Sequence, residues 1–355
     1  MKTINFFYPL ADIDCPKTGG QIYDSYLYNT IKKYHNPVLW DNTTLESVSR
    51  KTLIFRLLKV AKKITNNDCN IFNSSLYVYY LPLLLTLKLT GKKAKSYCIH
   101  HHFRYIEFKG IGRYIRFFLE TLCLRLCNGV ISPNPYTTDE IVRLLPKTKI
   151  VNLRMAFDKT EYIYNPTEGN LLFVGTVYPR KGLDFLIDAF CLMSEEEREG
   201  LRLTIAGNIQ NHDFFNSLKQ KIKKYQIENK VSFLGRVSDK QLNQLYSNAS
   251  WFILPSLHEG YGMVMAEAMS YGIPVIAFNN SAIPYLIKDG ENGLLVKDRD
   301  SQDLREKILI TKNNRNLHLK LSEGAKETFR KLPSLDDLDF DIINFLNSIN
   351  GNDSQ

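Results

Sequence analysis

The stretch Leu254–Gly272, LPSLHEGYGMVMAEAMSYG, decides how the chain is read. An apolar run ends at Leu254, Gly260 and Gly262 mark a turn, and the residues from Met263 follow a helical pattern. A strand, a glycine turn and a helix N-terminus make a site for an anionic group. The first helical N–H groups have no internal partner, and the macrodipole favours negative charge there. Glu259 stands before the turn and Glu267 inside the helix, with the small Ala266 beside it. Carboxylates accept hydrogen bonds from hydroxyls and repel phosphate. The stretch therefore predicts a ligand with a phosphate part and hydroxyl-bearing parts, as in a nucleotide sugar.

Working outward, apolar runs alternate with helical patterns in both halves of the chain. In the second half the spacing predicts strands at Leu171–Val174, Arg202–Ala206, Val231–Leu234, Trp251–Leu254, Pro274–Ala277 and Leu294–Val296. Helices are expected between them at Gly182–Met193, Phe214–Tyr225, Asp239–Ser247 and, after the last strand, Asp303–Ile310. In the first half, strands are expected at Ile4–Tyr8, Pro37–Trp40, Cys69–Asn73, Ala94–Ile99, Gly129–Ser132 and Lys149–Leu153. Helical patterns run from Gln21 to His35, over Ser47–Thr65, up to Gly91, and over Ile111–Cys127 and Thr137–Leu145. Interleaved strands and helices imply parallel sheets covered on both faces, so the fold class is α/β with two doubly wound domains. In such folds a ligand binds at the carboxyl ends of the strands, here in the cleft expected between the domains. The polar segment Asp158–Gly169 is the expected linker, giving domains at 1–157 and 158–330. The tail, 331–355, carries a last helix, Asp336–Ile349, with Leu338, Ile342, Phe345, Leu346 and Ile349 on one side.

A chain of 355 residues suits two cores rather than one. A net charge of +9 implies attraction to anions: phosphorylated ligands, an anionic membrane surface or nucleic acid. No aromatic-basic RNA module or recognition-helix motif accompanies that charge, so no nucleic-acid partner is expected. The six cysteines form no CxxC pair, and Cys123 and Cys127 read as small core residues. No signal-peptide core follows Met1, and the longest apolar stretch, Leu76–Leu89, contains Pro82 and Lys88. The chain is expected in the cytoplasm, or peripheral on the inner face of the cell membrane.

Other strand ends carry chemistry too. Gly175-Thr-Val-Tyr-Pro-Arg180-Lys181-Gly182 is a strand-to-helix turn with two cations, suited to a diphosphate. Gly19-Gly20 follows the first strand and would let backbone approach a ligand closely. His100-His101-His102 follows the fourth; in extended chain His100 and His102 share one side. They could touch a sugar, bond a phosphate or cap the strand. Asp298-Arg-Asp300 and Asp339-Phe-Asp341 carry the Asp-x-Asp spacing of a metal–diphosphate site. The first reads as a helix cap, and positions i and i+2 of a helix do not face one another, so no metal is assigned.

These segments resemble the GT-B glycosyltransferases of family 4, densely over Leu171–Val296 and thinly in the first half. FVGTVYPRKGLDFLIDAF, LTIAGN, VSFLGRVSDKQLNQLYSNASWFILPSLHEGYGMVMAEAMSYGIPVIAF and DGENGLLV carry the likeness, with Glu259-x7-Glu267 its most specific element. The resemblance implies two Rossmann-like domains, a last helix that crosses back to the first, and a retaining, metal-independent transfer. The donor is a nucleotide-diphosphate sugar, a co-substrate with no further cofactor. A hexose-type sugar is expected to move to a glycan or lipid-linked acceptor in surface polysaccharide biosynthesis. The alternative is an inactive sugar-nucleotide-binding partner subunit.

By the same likeness Glu267 holds the ribose hydroxyls and Glu259 the transferred sugar. Arg180 and Lys181 neutralise the leaving diphosphate, and one of His100, His101 and His102 lies by the donor sugar. Gly19, Gly20, Gly175, Thr176, Asn208, Gly260, Tyr261, Gly262, Met263 and Val264 line the donor, and Arg236 and Val237 read the base. Thr176 stands where many members have arginine. Ser281-Ala282-Ile283-Pro284-Tyr285 replaces the common Gly-Gly-x-Pro-Glu. The basic helices Ser47–Thr65 and Ile111–Cys127 suit an anionic membrane surface.

Overall fold

The computed structural model describes residues 2–8, 12–16, 18–41, 45, 52–73, 77–160, 162–312 and 314–351. The chain forms two compact units, Met1–Phe157 with Pro333–Gln355, and Asp158–Leu332.

In the first unit, strands β1 (Ile4–Phe7), β2 (Val38–Trp40), β3 (Cys69–Phe72), β4 (Lys95–Ile99), β5 (Gly129–Ser132) and β6 (Ile150–Asn152) form one sheet. Its order is β2-β1-β3-β4-β5-β6 and every pairing is parallel. The strands are apolar on both sides because helices cover both faces, as β1, β3 and β5 show by being buried throughout. A polar ladder crosses the sheet: Trp40 donates to Asn5 at 3.0 Å, and Asn5 donates to Asn70 at 3.0 Å. A slip of register would strand these buried groups without partners.

In the second unit, β7 (Asn170–Val174), β8 (Arg202–Ala206), β9 (Val231–Gly235), β10 (Trp251–Leu254), β11 (Val275–Phe278) and β12 (Gly293–Val296) form a second parallel sheet. Its order is β12-β11-β10-β7-β8-β9. Counted from β7 this is the 3-2-1-4-5-6 order of dinucleotide-binding domains, and it reverses between β7 and β10. The two loops that leave these neighbouring strands carry Arg180-Lys181 and Glu259.

Some expectations shift. The first helix is Gly19–Tyr34, capped by Thr18, so Gly19 and Gly20 form its first turn rather than a loop before Gln21. The basic helix expected over Ser47–Thr65 is described only as Leu53–Lys63; Ser47, Arg50 and Lys51 lie outside the described residues. A helix at Arg315–Lys331 was not expected. It is strongly polar and reaches the core only through residues such as Leu321, Ala325 and Phe329, so its apolar signal is sparse. The segment expected as a linker is irregular, yet Asn165 and Thr167 donate backbone bonds to Ser247 and Asn248 within the second unit. The last helix, Leu335–Asn350, belongs to the first unit and buries Leu338, Ile342, Phe345, Leu346 and Ile349. Among the described residues, no helix is long and apolar enough to cross a membrane.

Candidate functional site

In the second unit the loops after β7 and β10 are laced together. Gly182 has φ of 69°, and a Cβ there would lie 1.8 Å from the Pro255 carbonyl oxygen, so only glycine lets the loops meet. The Leu257 N–H donates to the Arg180 carbonyl at 2.9 Å, and the Arg180 guanidinium donates to the His258 carbonyl at 2.6 Å. This lacing brings Lys181 Nζ to 2.6 Å from Glu259 Oε1. Burial alone would raise the Glu259 carboxyl, but the charges of Lys181 and Arg180 overrule it and hold the group at about 2. Glu259 is therefore ionised, buried and paired.

A third loop fixes the Glu259 backbone. Its N–H donates to Ser281 Oγ at 2.9 Å, and its carbonyl accepts the Ala282 N–H at 3.3 Å. Ser281 has φ of 47°, a left-handed conformation that costs a side-chain-bearing residue energy. Here, where the resembled pattern has glycine, the side chain whose Cβ strains the backbone also supplies the hydroxyl that accepts the Glu259 N–H.

After the pair the chain turns through Gly262, with φ of 86°, and enters the helix Met263–Ser270. No side chain caps that helix start, so the first-turn amides at Met263 and Val264 open on the loop formed by Gly260, Tyr261 and Gly262. Glu267 lies one turn in and accepts the buried Tyr246 hydroxyl at 3.0 Å. Burial raises its carboxyl, while the Tyr246 bond acts the other way.

Neighbouring strands end in a ledge of backbone. Gly175, Gly207 and Gly235 close β7, β8 and β9, and a Cβ on Gly207 would lie 1.9 Å from the Gly175 carbonyl oxygen. Thr176, Asn208 and Arg236-Val237 follow these glycines directly, with Asn208 and Arg236 exposed. Every residue expected at the donor from this half of the chain thus lies at the carboxyl edge of one sheet. Ser281 and Gly207 join them unforeseen, while Tyr246 reaches Glu267 from the helix Asp239–Asn248 that leads into β10; only a repeat of glycine after successive strands hinted at the ledge.

The first unit holds a separate group. The ring of His101 packs on Gly20, where a Cβ would be 3.2 Å from Cδ2, and its Nε2 lies 3.0 Å from the buried Asp24 carboxylate. Gly20 thus serves close approach of a ring rather than an unusual backbone angle. His100 instead points into the core, 4.3 Å from the Phe103 ring between centroids, and burial first, then the other two histidines, pushes its imidazole well below the usual range. It is neutral and out of reach of solvent. His102 is partly exposed.

The Asp-x-Asp pairs are engaged elsewhere. Asp300 caps the helix Ser301–Thr311, and Asp298 meets Arg299 at 3.0 Å. Asp339 accepts from Tyr26, Thr30 and Lys33, and Asp341 from Arg154.

With this geometry, the family-model match falls on the half of the chain that carries the laced loops. Residues 157–328 match the family model of glycosyl transferases group 1. That group 1 segment is just under half of the chain and contains Arg180, Lys181, Glu259 and Glu267. An uncharacterized glycosyltransferase of Methanocaldococcus jannaschii is 34% identical over 175 residues, which cover 48% of this chain and 46% of that protein. The O-antigen chain mannosyltransferase B of Escherichia coli is 29% identical over 51% of this chain and 50% of its own length. The chain thus spans about half the length of these curated relatives. Among solved structures, Anabaena HepE in complex with UDP and glucose matches with a TM-score of 0.75 at 18% identity, covering 98% of this chain and 100% of that one. The fold is GT-B, with two Rossmann-like domains.

Proposed function

We propose that the protein is a retaining glycosyltransferase that uses a nucleotide-diphosphate sugar, with no metal, to extend a glycan or lipid-linked acceptor of a surface polysaccharide. The Lys181–Glu259 pair, set beside Arg180 at the sheet's reversal point within the group 1 segment, carries this reading. The UDP and glucose held by the Anabaena structure, and the O-antigen chain built by the Escherichia coli relative, support the classes of donor and product.

The chemistry follows from charge. As the bond from the anomeric carbon to the β-phosphate oxygen breaks, positive charge grows on the sugar and negative charge on the diphosphate. Lys181, Arg180 and the open amides of the helix Met263–Ser270 are fixed donors for that diphosphate, and fixed donors lower such barriers most. The Glu259 carboxylate accepts sugar hydroxyls, and Glu267 accepts those of the ribose. The acceptor oxygen attacks from the face the diphosphate leaves, and the departing phosphate oxygen takes the acceptor proton. No protein base is needed. With both Asp-x-Asp pairs already engaged, the cations do the work a metal would do. The enzyme works peripherally at a membrane that supplies the lipid-linked acceptor.

Screening nucleotide-diphosphate sugars by thermal shift tests this, because a bound donor raises the melting temperature with concentration. A saturable shift, followed by transfer with retained anomeric configuration, is expected. Lys181→Ala should lower kcat/KM about a hundredfold when assayed below its own melting temperature. Nucleotide binding without transfer to any acceptor would instead make the protein a binding subunit, and an inverted product would overturn the mechanism.

A further inference from the structure

The helix Ile111–Leu126 of the first unit carries an apolar stripe that nothing in its own unit covers. Ile111, Tyr114, Ile115 and Phe118 are 79%, 73%, 54% and 63% exposed, and Phe108, just before the helix, is 42% exposed. Their spacing of i, i+3, i+4 and i+7 puts the four helical residues along one line, about 10 Å long at 1.5 Å per residue. The opposite side is conventional core: Glu120, Thr121, Cys123 and Leu124 are buried, and the helix packs against Tyr77–Leu89. Single exposed apolar residues are ordinary, but five large ones in one patch mark a docking surface.

The patch is held in shape. The buried Glu120 carboxylate accepts Arg116 at 2.6 Å and the backbone N–H groups of Arg104 and Tyr105 at 3.2 Å. This ties the segment carrying Phe108 to the helix, where the Arg116 guanidinium lies 5.7 Å from the Phe108 ring centroid. Cations are threaded through the stripe: Lys109, Arg113 and Arg116, with no acidic residue in the helix's first turn. The positive end of the helix dipole lies at the same end.

We infer that this face docks on an anionic lipid bilayer, with the helix lying in the interface plane. Phe108, Ile111, Tyr114, Ile115 and Phe118 enter the boundary of headgroups and acyl chains, and Lys109 and Arg113 meet lipid phosphates. Aromatic and aliphatic residues on one line, flanked by cations, are what an interfacial helix needs. A second copy fits less well, since a two-fold contact would set Lys109 and Arg113 against cations of the same patch. The inference rests on the proposed transfer to a lipid-linked acceptor, and adds where the membrane is held.

Flotation of the full chain with vesicles separates the outcomes. Binding is expected to vesicles of equimolar phosphatidylcholine and phosphatidylglycerol, weakening as salt rises, with far less binding to phosphatidylcholine alone. The double variant Ile115→Ser, Phe118→Ser should lose about tenfold or more in partitioning, since each side chain removed is several buried CH₂ groups. Lys109→Glu with Arg113→Glu should reduce binding and flatten its salt dependence. All these positions are exposed, so the melting temperature should be unchanged. Equal partitioning of the Ile115→Ser, Phe118→Ser variant and the parent chain would overturn the inference. So would a dimer in light scattering that Phe118→Ser dissolves, which would make the stripe an interface between copies. UDP-sugar binding measured on the same samples keeps the readings apart: vesicle binding without nucleotide binding would sink the donor assignment alone.

Discussion

Lys181 and Glu259 lie seventy-eight positions apart in the chain and 2.6 Å apart in space. The Glu259 carboxyl is held at about 2, below its ordinary 4.5, so the folded state binds this proton less readily than the unfolded state. The stabilisation is complete above about pH 4.5 and is lost as pH falls towards 2. Its full size is on the order of 3 kcal/mol. Denaturant unfolding followed from pH 6 to 3 should show stability falling with acid, and Glu259→Gln should remove a part of that slope on this order. An unchanged slope would mean that the pair does not stabilise the fold. Glu267 behaves oppositely. Burial raises its carboxyl and the Tyr246 hydroxyl partly restrains the rise. Nucleotide affinity that needs the ionised carboxylate should thus weaken on acidification at a higher pH than an ordinary glutamate dictates. Tyr246→Phe should move that weakening higher still and cost about tenfold in Kd at neutral pH, a hydrogen bond to a charged group being worth about 1.5–3 kcal/mol. Calorimetry over a pH series reads both, and a pH profile unmoved by the substitution would count against Tyr246 as a positioning residue. Both glutamates were legible as types at a spacing. Tyr246 was not, because a tyrosine in a helix says nothing of where its hydroxyl ends.

The elements separate by how much local pattern they carry. Buried parallel strands read as plain apolar runs, and most of their bounds fall within a residue or two of expectation. The C-terminal helix was equally plain, since its apolar line recurs at helical spacing, and Ser334 closes a capping box with Asp337. Its energetic role shows in what it covers. Phe345 packs edge-on against Tyr97 at 5.0 Å, and Asp339 collects bonds from Tyr26, Thr30 and Lys33. Five large buried side chains at about 1.5–3 kcal/mol each approach the whole stability of an ordinary domain. Truncation before Pro333 should therefore unfold the first unit while the second keeps its sheet. Hydrogen exchange would show this as loss of amide protection in β1–β6 with protection retained in β7–β12; protection kept in both would show the helix to be dispensable. The helix Arg315–Lys331 leaves little trace in the sequence for the opposite reason, since a mostly polar helix with few buried residues has almost no period.

At the scale of the molecule, two parallel sheets of different strand order serve one chain. The second reverses between β7 and β10, and the first between β1 and β3, where β2 lies on the other side of β1. In each unit a glycine-bearing loop or turn follows the strand at the reversal: Gly175–Gly182 after β7, Gly19-Gly20 after β1. The chain carries a net charge of +9, and some of its cations are placed in contrasting ways. Arg180 and Lys181 are drawn inward to carbonyl and carboxylate oxygens, while Lys109 and Arg113 stay on a surface beside exposed aromatic rings.

From its sequence alone, the protein is committed to alternating strands and helices, to parallel sheets, to glycine turns at Gly175–Gly182 and Glu259–Met263, and to a terminal amphipathic helix. Period, glycine placement and charge are local properties, and local properties survive in one dimension. Tertiary structure decided the rest. It buried His100 and set His101 on Gly20, it made Ser281 the support of Glu259, and it left Ile111, Tyr114, Ile115 and Phe118 uncovered. Each of these depends on which distant segment arrives beside a residue. An apolar residue at helical spacing looks the same in a sequence whether a core covers it or not.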